Sequence, residues 1–215
     1  MTPVSPRVLR RFIVLEGGDG AGTTTQLALI DRALDRAGID HWTTSEPTES
    51  PEGLLIRRIL SGELERDPGT LARLFAADRN EHLKGRGGIL ERLGRGGTVV
   101  CDRYVLSSLA YQGVACGPEL PAQLNAAFPL PELLLFFDLS PERSMGRLEG
   151  RERLDIFEAL PFQERVRAAY AEALASYAGG GMRIERIDAS RGVEEVHREI
   201  AALVRSTLGL RHDLE

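Results

Sequence analysis

The sequence is short of cysteine, short of lysine and without any long apolar run, and each shortage narrows what the chain can be. Two cysteines among 215 residues cannot build a disulfide framework or a cysteine-rich metal cluster, so a reducing, cytoplasmic setting is expected. Cys101 closes an apolar run and reads as a small buried hydrophobe, whereas Cys116 sits in a glycine-containing loop. The longest aliphatic and aromatic run, LLLFF (133–137), is far too short to span a bilayer, and no membrane association is expected. The opening MTPVSPRVLRR lacks the apolar segment of a signal peptide and reads as a loosely ordered tail over about residues 1–10. A formal charge of -5 leaves no global basic field, so nucleic acid is not an expected partner and any anion site must be local. Of the 27 Lys and Arg residues, Lys84 is the only lysine.

What is present is an ordinary globular composition, 42% hydrophobic and 27% charged, which at this length predicts one domain over 1–215. Apolar runs alternate with helical spacing. Strands are predicted at FIVLE (12–16), HWTT (41–44), TVVCD (98–102), LLLFFDL (133–139) and RIERID (183–188). Helices are predicted over 23–37, 52–61, 68–84, 88–95, 141–148, 157–178 and 193–208. Strands that alternate with helices imply an α/β fold with a five-stranded parallel sheet and helices on both faces. Ligands of such sheets bind beyond the carboxyl ends of the strands. The stretches there are GGDGAGTTT, EPTES, DRY, DLSPER and DAS.

The first stretch carries a contradiction. Residues 17–26 read GGDGAGTTTQ, and Gly17, Gly22 and Thr24 fall on the phosphate-loop pattern G-x-x-x-x-G-K-[ST]. The lysine does not, because position 23 is Thr. Four glycines let the backbone curl around phosphate oxygens, and a helix starting near Thr23 adds the positive end of its dipole. Thr24 stands where a hydroxyl would ligate Mg²⁺. At the end of TVVCD, Asp102 is suited to hold the same ion, and Arg103 to pair with phosphate. Each feature has a bland counterpart: a tight strand-to-helix turn for the loop, a local ion pair for Asp102 and Arg103.

Taken together, EGGDGAGTTTQ, LFAADRNEHL, DRYVLSSLAYQG, PELLLFFDLSPE and IDAS resemble the thymidylate kinase family from Phe12 to about Leu208. The family patterns are E-G-x-D-G-A-G-K-T-T-Q, L-F-A-x-D-R and D-R-Y-x-x-S-x-x-A-Y-Q. The resemblance implies a P-loop NTPase-like nucleoside monophosphate kinase with a short lid over about 143–155, Mg²⁺ as cofactor, a homodimer, and ATP-dependent conversion of dTMP to dTDP for dTTP synthesis. It implies ATP phosphate contacts from Gly17, Gly18, Asp19, Gly20, Ala21, Gly22, Thr23, Thr24 and Thr25. For dTMP it implies Asp19, Glu46, Pro47, Phe75, Arg79, Arg103, Ser107, Ser108, Tyr111 and Gln112. Phe75 would stack on thymine, Arg79 would meet the base or the acceptor phosphate, and Arg103 the acceptor phosphate. Spacing agrees: Phe75 and Arg79 share a helical face, as do Ser108, Tyr111 and Gln112.

Three departures stand out. Thr23 replaces the lysine. Ser45 precedes Glu46 and Pro47 where many family members carry Arg, with Arg57 as a substitute on the next helix. Ile156 follows Asp155 where the family often has Arg. The arginines of the expected lid, Arg147, Arg151 and Arg153, are the candidates for supplying the charge missing at position 23 and are grouped with Asp19 and Arg103 as catalytic. Asp155 and Glu158 would orient them. Two other readings remain at this level: a kinase for a different nucleoside or nucleotide, and a nucleotide-binding module that lost turnover with its lysine.

Overall fold

The computed structural model describes residues 7–148, 157, 160–211 and 214. Five strands, β1 (Val8–Gly17), β2 (His41–Ser45), β3 (Thr98–Asp102), β4 (Leu130–Asp138) and β5 (Arg183–Asp188), form one sheet in the order β2-β3-β1-β4-β5. Every pairing is parallel, as expected from the alternation of strand and helix. β1 starts four residues before the predicted strand. Val8 and Leu9 pair with Leu130 and Pro131 of β4, so the expected tail is shorter than ten residues. The polar RR at 10 and 11 hides this start, because it breaks the apolar run that marks the strand.

The side-chain alternation of the strands builds two cores. Phe12, Val14, Val99, Cys101, Leu134 and Phe136 point to one face. Ile13, Leu15, Val100, Leu133, Leu135 and Phe137 point to the other. Phe12 through Leu15 are wholly buried, which is why β1 reads as a continuous apolar word rather than an alternating one. Each such side chain contributes about 1.5–3 kcal/mol by leaving water. Helices α1 (Thr23–Arg36) and α10 (Val193–Leu208) cover the second face through Ile30, Leu34, Val196, Ile200 and Val204. The first face is covered by α3 (Pro68–Lys84), α4 (Ile89–Gly94) and α9 (Leu160–Tyr177). Helix α2 (Pro51–Leu60) packs on α3 through Ile56, Ile59 and Leu71.

Between β3 and β4 lie elements without a strong periodic signature. A short α5 (Val105–Ser107) runs into a π-helical turn (Ser108–Gln112), then α6 (Gly113–Cys116) and α7 (Glu119–Asn125). Helix α8 (Pro141–Leu148) begins at Pro141 as predicted and takes up the start of the expected lid. Arg151, Arg153, Asp155, Ile156 and Glu158 lie outside the described residues. No helix among the described residues is long and apolar enough to cross a membrane. Cys101 is buried and Cys116 partly so, both as free thiols, and burial pushes the Cys101 thiol well up.

Candidate active site

Two adjoining cavities open at the carboxyl ends of β1, β2 and β3. One, about 350 Å³, is floored by Asp19, Gly20, Ala21, Gly22, Thr23, Thr24 and Thr25. The other, about 400 Å³, is lined by Glu46, Pro47, Phe75, Arg79, Ser107, Ser108, Tyr111 and Gln112, among others. Asp19, Thr24 and Arg103 line both.

The loop's shape follows from its glycines. Gly22 sits at φ 96 as the residue before α1, a left-handed conformation that side chains resist. A Cβ on Gly17 would come within 3.1 Å of Phe137. Helix α1 starts with no side-chain cap and no acidic residue in its first turn, so its leading N–H groups and dipole are left for an anion. Gly17 and Gly18, expected among the phosphate contacts, do not line this cavity. Their carbonyls serve the fold: Gly17 accepts from Arg103 Nη1 (3.0 Å), and Gly18 from Ala21 N (3.2 Å).

Thr24 Oγ1 donates to Asp102 Oδ2 (2.8 Å), while Asp102 Oδ1 is buried with no partner. A hydroxyl and an unsatisfied carboxylate oxygen at a phosphate loop are suited to a hard cation such as Mg²⁺. Arg103 adopts φ 68, an uncommon conformation for a residue with a side chain. It turns the guanidinium back to Asp19 Oδ1 (2.6 Å), and its centre lies 5.2 Å from the Tyr111 ring. The second Asp19 oxygen accepts from Gln163 Nε2 (2.7 Å).

Helix α8 lies over the phosphate loop. Ser144 donates to the Asp19 carbonyl. Arg147 reaches Ala189 O (2.8 Å) on the loop after β5 and Gly20 O (3.5 Å). It lines the cavity with Thr23, as does Arg191, a residue that no motif in the sequence singles out. Arg191 is held by Glu195 (3.3 Å) and by Glu199.

All ten residues expected around dTMP line the larger cavity. Ser45 and Arg57 line it too, with Arg57 donating to Pro47 O. The helical face expected of Ser108, Tyr111 and Gln112 is carried by the π-helical turn, a distortion common at functional sites. Tyr111 OH and Gln112 Oε1 are buried there without partners. Arg79 is 1% exposed, and its donors are all engaged: Glu46 by Nε (2.8 Å) and Nη2 (2.7 Å), Ser108 (3.1 Å), Asn125, and Tyr104 O (2.8 Å). With no donor to spare, Arg79 shapes the wall through Ser108 and Tyr104. Glu46 also accepts from His82 Nδ1 (3.0 Å).

Beneath both cavities sits Glu16, wholly buried. It accepts from Tyr104 N (3.0 Å), Ser107 N (3.2 Å), Ser107 Oγ (2.6 Å) and Tyr170 OH (3.2 Å). Burial raises its carboxyl pKa, against the opposing hydrogen bond from Ser107 and the charge of Arg103. The network clamps the turn that carries Arg103. A lone acid closing the buried word FIVLE was its signal in the sequence; Gln163 and Tyr170 had none, since α9 lies more than 140 residues away.

Comparison with known proteins agrees with this geometry. Residues 15–200 match a family model described as thymidylate kinase. A chain from Treponema pallidum (strain Nichols) that carries the thymidylate kinase name is 40% identical over 196 residues, 90% of this chain and 94% of the relative. The "Probable thymidylate kinase" of Pyrococcus horikoshii is 40% identical over 205 residues, 92% of this chain and 97% of the relative. That of Methanocaldococcus jannaschii is 38% identical over 197 residues, 91% and 96% of the two chains. With its own phosphate loop, DRY turn and paired cavities in the arrangement those motifs require, the chain belongs to the thymidylate kinase family.

Proposed function

We propose that the protein transfers the γ-phosphoryl group of ATP to dTMP, giving dTDP and ADP. The observation that carries this reading is the junction of the two cavities at Asp19, Thr24 and Arg103. One cavity has the uncapped start of α1 at its floor and takes the ATP phosphates. The other takes dTMP, with Phe75 against the base. The unpartnered Tyr111 hydroxyl and Gln112 oxygen are satisfied by polar groups of the nucleoside. Arg103, pinned by Asp19, meets the acceptor phosphate, so donor and acceptor phosphates converge on one guanidinium. Phosphoryl transfer needs chiefly such positioning and charge neutralisation.

Thr24 and Asp102 are the residues that hold Mg²⁺, which supplies charge neutralisation on the phosphate oxygens. Arg147 supplies the cation missing at position 23, because it is the expected lid arginine that lines the phosphate cavity among the described residues. A homodimer and a cytoplasmic location belong to the same proposal; light scattering on the purified protein tests the first.

The decisive experiment is incubation of purified protein with ATP, Mg²⁺ and dTMP, with dUMP and thymidine as competing acceptors. Stoichiometric dTDP and ADP are expected, abolished by EDTA. Tight binding of ATP and dTMP without dTDP would favour a module without turnover, and preference for another acceptor would favour a different kinase.

A further inference from the structure

Gln163 is buried and engaged on two sides. It lies in the first turn of α9 and is 4% exposed. Its Nε2 donates to Asp19 Oδ2 (2.7 Å) and to the Phe157 carbonyl (2.9 Å). Both neighbours are acceptors, so the orientation of the amide is dictated: a flipped amide would set its oxygen against two oxygens. Farther along the same helix, Val166 is buried, and the Tyr170 hydroxyl lies 2.8 Å from Ser107 Oγ and 3.2 Å from both Glu16 and Gly17 O. One face of α9 therefore holds both ends of the β1–phosphate-loop junction.

Asp19 is the point where this matters. Arg103 engages Oδ1 (2.6 Å), which by itself leaves the carboxylate free to turn about its bond to Cβ. Gln163 engages the other oxygen. Held at both, the carboxylate keeps one orientation toward Arg103, whose other terminal nitrogen is on Gly17 O (3.0 Å). Phe157 adds a second consequence. Its ring lines the larger cavity and stacks on Phe162 at 4.8 Å between centroids and 5° between planes. One amide thus connects the orientation of Asp19 to the backbone of an aromatic residue in the cavity wall.

We propose that Gln163 is a positioning residue for phosphoryl transfer: its carboxamide fixes Asp19, and through Asp19 the Arg103 guanidinium, and couples both to the wall at Phe157. This rests on the assignment of the larger cavity to dTMP. Misplacing a reacting group by about 1 Å can cost on the order of a hundredfold in rate, so a lost tether has a measurable effect although Gln163 touches no substrate.

Two variants test it. Gln163→Leu keeps the volume and removes both donors. Gln163→Glu keeps the shape but presents an acceptor to Asp19; only when one of the two carboxyls is protonated can a hydrogen bond form between them. For Q163L, kcat/KM for dTMP falls between about tenfold and about a hundredfold, the calorimetric Kd for dTMP rises, and KM for ATP stays within about twofold. For Q163E, the rate relative to wild type climbs as pH is lowered from neutral, while the Q163L ratio stays flat. A residue that only packs would not cost Q163L its kcat/KM for dTMP while sparing KM for ATP. The proposal is overturned if Q163L keeps dTMP binding and kcat/KM within about twofold of wild type, or if the Q163E ratio is flat with pH. Should Q163L fail to fold, the Q163E profile decides alone. A wild type that binds dTMP and makes no dTDP sinks the assigned reaction instead, and the dTMP Kd of the variants, followed across pH, then decides whether Gln163 positions Asp19.

Discussion

Replacement of Arg147 by Ala separates the two things an arginine can do at the phosphate loop. Its side chain is exposed and makes two backbone contacts, a good one to Ala189 O (2.8 Å) and a marginal one to Gly20 O (3.5 Å). Neither partner is a buried charge, so R147A should cost less than about 1 kcal/mol of stability. The rate is another matter. With Thr at position 23 the phosphate loop brings no cation of its own. A donor aimed at developing charge contributes about a hundred- to a thousandfold, and an arginine finger more. The expectation is a kcat loss of at least about a hundredfold with a melting temperature close to wild type. Coupled ADP-release kinetics at saturating ATP and Mg²⁺, beside a thermal melt, measure both. The double variant R147A/T23K sharpens the test, because a lysine restored to the loop should recover part of the loss that R147A alone incurs. If R147A keeps more than about a tenth of wild-type kcat, against the finger-sized effect expected, then Arg147 does not supply the missing charge.

Three further outcomes follow from the geometry. Phe75→Ala should raise KM for dTMP by about fivefold to a hundredfold, the worth of one base–aromatic stack, while KM for ATP is unchanged; equal effects on both nucleotides would remove Phe75 from the acceptor site. Arg79→Ala leaves Glu46 buried at 3% exposure without its guanidinium and should cost about 3–5 kcal/mol in urea unfolding. Arg79→Lys should restore little, since an ammonium has too few donors for those five contacts; full recovery by Lys would mean that charge alone suffices. Glu16 has its carboxyl pKa raised above the ordinary 4.5 by burial, so the folded state holds its proton more tightly than the unfolded chain does. The stability this contributes is present below the ordinary value and is lost as pH rises through the folded one. Wild type minus Glu16→Gln should therefore become less favourable to wild type as pH climbs above about 4.5; a flat or rising difference in urea unfolding would refute the assignment.

Local rules of the chain set the layers and the floor of the site. Phe12 to Leu15 and Leu133 to Phe137 are apolar at every position, as short strands buried on both faces require. GGDGAGT had to be a curled loop at the end of β1, and DRY had to stand beside it once β1 and β3 were neighbours. These are short-range rules: the period of burial and the backbone freedom of glycine act within a few residues. Tertiary structure alone decided who holds whom. Gln163 meets Asp19 across 144 positions and Tyr170 meets Glu16 across 154, and nothing local to either residue specifies its partner. Arg79 shows the same limit. Its spacing from Phe75 put the two on one helical face and the family resemblance put that face at the nucleotide, but only the packing of the turn after β2, α7 and the turn after β3 around it consumed its donors. Buried polar groups must find partners wherever the fold brings them. The local pattern says which face of an element is buried; which groups meet there depends on how the elements are docked.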